Sequence, residues 1–413
     1  MLLAEKFLFP IVWTVEGSGL LLCRKTVGLS ITLILLVFVA LLATTKLVDD
    51  SPSSAFFFGV EFAYTSNTGN MEDNLHNLKG LVDKVQDFTN LFVIGLPEIS
   101  LNQTALNEAC DYIYKAGLHF IVLFTNTSSY SFAPRVWTAE AQQKYGNSFL
   151  GVYRIDEPGG KELDNYAGRF LDPSSFDPEV KNYTGASQKY NEYLNVHLGY
   201  LHENLYPTIF TADYGLYWFD YKAGFNTVFA EFGWNNSRQM NIALCRGAAR
   251  AQNRDWGVMI TWTYREWPYL QLGLGSQFYD DMVLAYNGGA KYVVIFDYPS
   301  ADSSEYGILY DVHFEAMRNF WNYVNSNPQN HGADQVRVAY VLPQDYGFGL
   351  RSSSDHIWGI WAADDLSSKV WDDVNKLVAR YGSRFDVVYN DPEYVDAIKN
   401  RYPELIYWND PVT

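Results

Sequence analysis

The chain has 413 residues, 48% of them apolar, enough to bury a large core in two or three domains at roughly 150 residues each, or in one barrel-sized domain with extras. Its formal net charge of -17 repels phosphate backbones and leaves no basic groove, which argues against a nucleic-acid partner. Only three cysteines occur, Cys23, Cys110 and Cys245, so no disulfide framework is implied.

In chain order, residues 1–25 form a short N-terminal segment. The uncharged run from Thr26 to Thr45, "TVGLSITLILLVFVALLATT", is long enough to cross a bilayer as a helix. Arg24 and Lys25 precede it, and Asp49 and Asp50 follow, so the positive-inside bias puts the N-terminus in the cytoplasm and the rest outside. The expectation is an uncleaved signal anchor that makes this a single-pass membrane protein. The alternative is a cleaved signal peptide and a secreted product. Asn-x-Ser/Thr patterns at Asn102, Asn126, Asn182 and Asn235 agree with an exported surface. Residues 46–55, ending in "DDSPSSA", read as a polar linker.

From residue 56 to 330 the pattern alternates between strand and helix. Strand-length apolar runs fall at Phe56 to Phe62, Leu91 to Leu96, His119 to Phe124, Leu150 to Ile155, Thr208 to Ala212, Thr227 to Ala230, Gly257 to Tyr264 and Tyr292 to Phe296. Between them lie helical spacings such as "MEDNLHNLKGLVDKVQDF", "QKYNEYLNVHLGYLHENL" and "SRQMNIALCRGAARAQNR". The third unit has a short helix, "RVWTAEAQQKYG", and the fifth, "YGLYWFDYKAG", reads as an irregular loop. Eight such units predict an α/β fold, a (β/α)8 TIM barrel whose strands are apolar on both faces because both are covered. Residues 331–413 restart the alternation, with strands at Val336 to Leu342, Phe385 to Tyr389 and Leu405 to Tyr407. They are expected to form a small parallel α/β domain, of which the chain holds only part.

In such a barrel the catalytic groups sit at the carboxyl ends of the strands. Those ends carry Glu61, Glu98, Asp156 with Glu157, Asp213, Glu231, Glu266 and Asp297, although Asp and Glu total only 47 of 413 residues. Crowded acids raise one another's pKa values. Short polar residues also end strands and cap helices, so a purely structural use stands beside the functional one. Chemistry that needs two carboxylates and no further reagent is glycoside hydrolysis: one protonates the leaving oxygen, and the other attacks the sugar or activates water. None of the seven histidines lies at a strand end and no cysteine cluster exists, so neither a metal nor another cofactor is expected. The aromatic content of 17% provides faces for sugar rings, although core packing uses most of it. Trp234, Trp262, Tyr264 and Trp267 follow the sixth and seventh strands and could form stacking platforms. The Gly- and Trp-rich stretch Asp345 to Asp365 is expected either to pack between domains or to lean over the barrel mouth with Trp358 or Trp361.

"GVYRIDEPGG", Gly151 to Gly160, resembles the fourth-strand end of the clan-A retaining TIM-barrel glycoside hydrolases, which carry Asn-Glu-Pro there. Asp156 replaces the asparagine. The resemblance implies that Glu157 is the acid/base and that the nucleophile lies on strand seven, where Glu266 is the positional match. "FAEFGW" holds Glu231 in a context closer to the clan's nucleophile signature, but on strand six. Glu157 with Glu231 or Glu266 is thus the candidate catalytic pair. Glu61, Glu98, Asp156, Asp213, Trp234, Trp262, Tyr264 and Asp297 are the candidate substrate contacts, and the partner is a carbohydrate. The resemblance also covers the C-terminal module, since some barrel glycosidases carry an amidotransferase-like α/β domain. Two other readings stay open: a non-catalytic carbohydrate-binding barrel, and a structural cell-envelope protein.

Overall fold

A computed structural model of the chain describes residues 55–63, 69–125, 129–165, 171, 180–203, 207–233, 236–261, 263–266, 269–272, 275–298 and 304–412. The chain divides into two compact units, Met1–Ala55 and Phe56–Thr413. The expected membrane segment and its flanks fall in the first and, but for Ala55, lie outside the described residues. Among the described residues no helix is long and apolar enough to cross a membrane.

Eight parallel strands close into a barrel: β1 (Phe57–Phe62), β2 (Leu91–Ile94), β3 (His119–Leu123), β4 (Phe149–Tyr153), β5 (Thr208–Asp213), β6 (Thr227–Phe232), β7 (Asp255–Ile260) and β10 (Tyr292–Asp297). β10 pairs with β1 from Phe57↔Tyr292 to Phe62↔Asp297 and so completes the cylinder. Two apolar layers hold it. Inside, Phe57, Leu91, Ile121, Phe210, Phe229, Met259 and Tyr292 fill the axis, with Phe57 stacked on Tyr292 at 5.1 Å. Outside, residues of the other parity, such as Phe58, Val60 and Phe62, pack against the helices. The barrel is therefore solid below its rim, and a site can form only at the strand ends.

The short third helix forms as expected, over Pro134–Tyr145, with proline at its first turn. Two expectations are corrected. The fifth unit is a helix, Tyr217–Ala223, rather than an irregular loop; Tyr217, Trp218, Phe219 and Tyr221 are all buried, so its apolar residues cover every face and leave no periodic stripe to read. The seventh strand stops at Ile260, and the rest of the predicted run belongs to an antiparallel hairpin of β8 (Thr263–Glu266) and β9 (Tyr269–Gln271).

The C-terminal part is a parallel three-stranded sheet in the order β12-β11-β13, built from β11 (Val338–Leu342), β12 (Phe385–Tyr389) and β13 (Glu404–Tyr407). It docks on the barrel helix Arg238–Ala251 through Arg246, whose side chain is fully buried and donates from Nε to Asp386 Oδ1 at 2.7 Å and from Nη2 to the Phe385 carbonyl at 3.1 Å. Tyr402 and Arg250 also bond Asp386. Removing one member of a buried pair leaves the other charge uncompensated. Arg246→Met should therefore cost about 3–5 kcal/mol in denaturant unfolding, and Arg246→Met with Asp386→Leu should recover most of it; equal losses in the single and double variants would contradict this account.

Candidate active site

Alternation along the strands sorts the strand-end acids. Phe57 lies in the inner cluster, so Glu61, four residues on, points to the axis; Phe229 does the same for Glu231 on β6. Tyr153, at the end of β4, is also inward. On β5, Phe210 and Ala212 face inward, so Asp213 faces out; on β10, Tyr292 and Val294 face inward, so Asp297 faces out. The three inward groups meet the turn that follows β4.

That turn is built under strain. Ile155 (φ 52°) and Glu157 (φ 51°) both occupy the left-handed region without being glycine, at on the order of 1–3 kcal/mol each. The turn is held by Glu157 N–H donating to the Ala212 carbonyl at 3.0 Å, and by the Thr211 hydroxyl donating to the Ile155 carbonyl at 2.5 Å. Asp213 provides the main anchor. Its carboxylate accepts from Gly159 N–H (2.6 Å), Gly160 N–H (2.7 Å), Tyr214 N–H (2.7 Å) and Gly215 N–H (3.2 Å), so it caps the helix Pro158–Leu163 that Glu157 begins. The paired glycines are required for this fit: a Cβ on Gly160 would lie 2.2 Å from the Tyr214 ring.

The turn then presents two carboxylates that share Lys161 but differ in burial. Asp156 is half exposed; it accepts from the Tyr153 hydroxyl at 2.6 Å and from Lys161 Nζ at 3.0 Å. Glu157 is mostly buried, with Lys161 at 3.3 Å from its Oε2. Burial, and then the Asp156 charge, push the Glu157 carboxyl up to about 7, while Lys161 opposes the rise. Glu231 is buried, and its pKa is raised well above the ordinary value, first by desolvation and next by the charge of Glu157. A charged Glu157, in the turn after β4, thus disfavours ionisation of Glu231 on β6. Glu61, 4% exposed, is pushed up to about 8 by burial and then by Asp156.

The other expected contacts are placed differently. Asp213, with both oxygens taken by backbone N–H groups and its carboxyl raised to about 6 by burial, acts as a cap; Asp220 beside it accepts from the Tyr190 hydroxyl at 2.7 Å. Asp297 is buried and accepts from Ile308 N–H at 3.0 Å. Glu98 is exposed in the helical turn Pro97–Ser100. Glu266 pairs with Tyr269 in the hairpin beyond β7 and so is not at a barrel strand tip, and Tyr264 pairs with Leu270 in the same hairpin. Trp234, Trp262 and Trp267 lie outside the described residues.

The C-terminal segment does reach the mouth, but not through a free tryptophan. Trp358 is fully buried, donates to the Asp345 carbonyl at 2.9 Å and packs 4.5 Å from Phe219, while Trp361 stands 5.1 Å from Tyr183. Arg351 arrives instead: it pairs with Asp164 at 2.5 Å and Asp355 at 2.6 Å, lies over the Tyr214 ring, and lines a cleft of about 270 Å³ with Asn236 and Ser352. Sequence reasoning missed Lys161 and Arg351. Lys161 was readable as the residue one helical turn after Glu157; nothing in the sequence links Arg351 to a turn so far away along the chain.

The described strands form a closed parallel TIM barrel with Glu61 and Glu231 facing its axis. No protein-family model matches the chain, and no curated protein sequence matches it. Among solved structures, a GH5_18 protein from Streptomyces cattleya in complex with GlcNAc is similar, with a TM-score of 0.52, 16% identity, and coverage of 86% of this chain and 99% of that one. A variant of a GH5_18 protein from Bifidobacterium longum in complex with Manb1-4GlcNAc gives 0.51, 11%, 86% and 96%. At such identities the likeness is one of fold.

The raised pKa of Glu61 has a consequence for stability. Since its folded-state value lies above its unfolded one, the fold favours the protonated carboxyl, and this contribution is intact below about pH 4.5 and lost as pH rises toward about 8, on the order of 5 kcal/mol. Urea unfolding should show the wild type more stable at pH 5 than at pH 8.5 and Glu61→Gln with a smaller difference; an unchanged difference would place Glu61 in solvent.

Proposed function

We propose that the protein hydrolyses glycosidic bonds, or transfers the glycosyl group, on an extracellular oligo- or polysaccharide, with Glu157 and Glu231 as the reacting carboxylates. The observation that carries this reading is the buried, axis-facing Glu231 at the carboxyl end of β6, with Glu157 held in a left-handed turn at the end of β4 on the same rim. In the first step Glu157 gives its proton to the glycosidic oxygen as the C–O bond breaks, and the Glu231 carboxylate bonds the anomeric carbon. Water then attacks that carbon, Glu231 leaves, and the water's proton returns to Glu157. The outcome is retention, supported by the clan resemblance of the turn that carries Glu157. The departure from the clan is the strand: the partner comes from β6, not β7. The bilayer-length run at 26–45 supports a membrane anchor with the barrel on the extracytoplasmic side.

One observation favours a second reading, with the roles exchanged: Glu231 is the more buried acid and so holds the resting proton more firmly. Leaving-group dependence separates the two. On substrates with poor leaving groups, Glu157→Gln and Glu231→Gln should each lower kcat by roughly 10²–10⁴-fold. With a strongly activated aryl leaving group Glu157→Gln should recover and Glu231→Gln should not, and proton NMR should show retention. Recovery of Glu231→Gln alone would exchange the roles, and a wild type that binds sugar without cleaving any glycoside would leave a non-catalytic binding barrel.

A further inference from the structure

The inward carboxyl of Glu61 has no task in the chemistry just described. It is 4% exposed, and its Oε2 has no hydrogen-bond partner. The chain makes room for it: a Cβ on Gly95, just past the end of β2, would lie 2.2 Å from Glu61 Oε1. Burying an unpaired acceptor costs free energy, and a carboxylate costs more than any neutral group. The mouth contains cations, but they are committed elsewhere. Lys161 pairs with Asp156 and Glu157, and Arg351 pairs with Asp164 and Asp355. Among the described residues no lysine or arginine is paired with Glu61, and no group of three or more His, Cys, Asp or Glu side chains could hold a metal ion. A complement that fits this carboxyl is an organic cation with several N–H donors, brought by the ligand.

We propose that the saccharide taken by this site carries a protonated amino group, bound by Glu61 with Asp156 beside it. This rests on the glycosidase reading and names its substrate class: an unacetylated hexosamine unit. An ammonium has three donors and no acceptor, which matches the Glu61 carboxyl, whose Oε2 has no donor of its own. Acetylating the amine would remove both the charge and two of those donors, leaving Glu61 a single neutral N–H.

The test compares matched aryl glycosides of glucosamine, N-acetylglucosamine and glucose, and the same galacto series, on the full chain. The wild type should have a kcat/KM at least tenfold higher for the amino glycoside than for either neutral one. Glu61→Gln, which keeps the shape of the protonated acid, should reduce that ratio at least tenfold. Equal or better turnover of a neutral glycoside would overturn the amine assignment and leave hydrolysis standing. If no glycoside is cleaved, the glycosidase reading fails, and the amine inference is then decided by thermal melting with free sugars: stabilisation by glucosamine but not by glucose or N-acetylglucosamine supports it, and equal shifts end it.

Discussion

Side chains on a strand alternate between its two faces, and in a closed barrel that alternation decides which strand-end acids can meet. Glu61 and Glu231 share the parity of Phe57 and Phe229 and so enter the axis; Asp213 and Asp297 have the opposite parity and enter the helix layer. The two sets then experience different physics. Those in the helix layer find backbone N–H groups, as Asp213 does with four of them. Those on the axis are buried beside the carboxylates of the turn after β4, and burial with that like charge drives their pKa values up.

The turn after β4 links the two sets. Because Asp213 grips the first N–H groups of the helix Pro158–Leu163, the chain can hold Ile155 and Glu157 in left-handed conformations that neither would adopt alone. Adjacent carboxylates at the end of a buried strand then differ in exposure. Asp156 is half exposed and accepts from the Tyr153 hydroxyl and Lys161, while Glu157 is mostly buried against the same lysine. Lys161 tempers the repulsion, and the Arg351 pairs tie the C-terminal segment to the same rim. The strain therefore sits where chemistry is proposed, and outward-facing residues support it.

Much of the barrel was legible because its strands are apolar on both faces and its helices are periodic; all eight staves fall within a few residues of the apolar runs. The helix Tyr217–Ala223 was not, since burial on every side erases its period. The break between Ile260 and Thr263 was hidden inside one continuous run of β-formers. For the site, Glu157 and Glu231 were legible as strand-end acids, but all such acids looked alike until parity was read from their neighbours. That signal was present: Phe210 and Ala212 flank Thr211 in a strand whose next residue is Asp213. Arg351 was not legible, because tertiary contacts such as Arg246 with Asp386 and Trp358 with Phe219 bring that segment near the mouth.

The central claim is that Glu157 and Glu231 feel each other's charge. Carbon-13 NMR titration of labelled glutamate carboxyls, assigned by substitution, measures this directly. The claim requires the Glu231 midpoint to fall in Glu157→Gln, because the neutral amide removes a repelling charge. A Glu231 midpoint unchanged by that substitution would mean that the two carboxyls do not share one site.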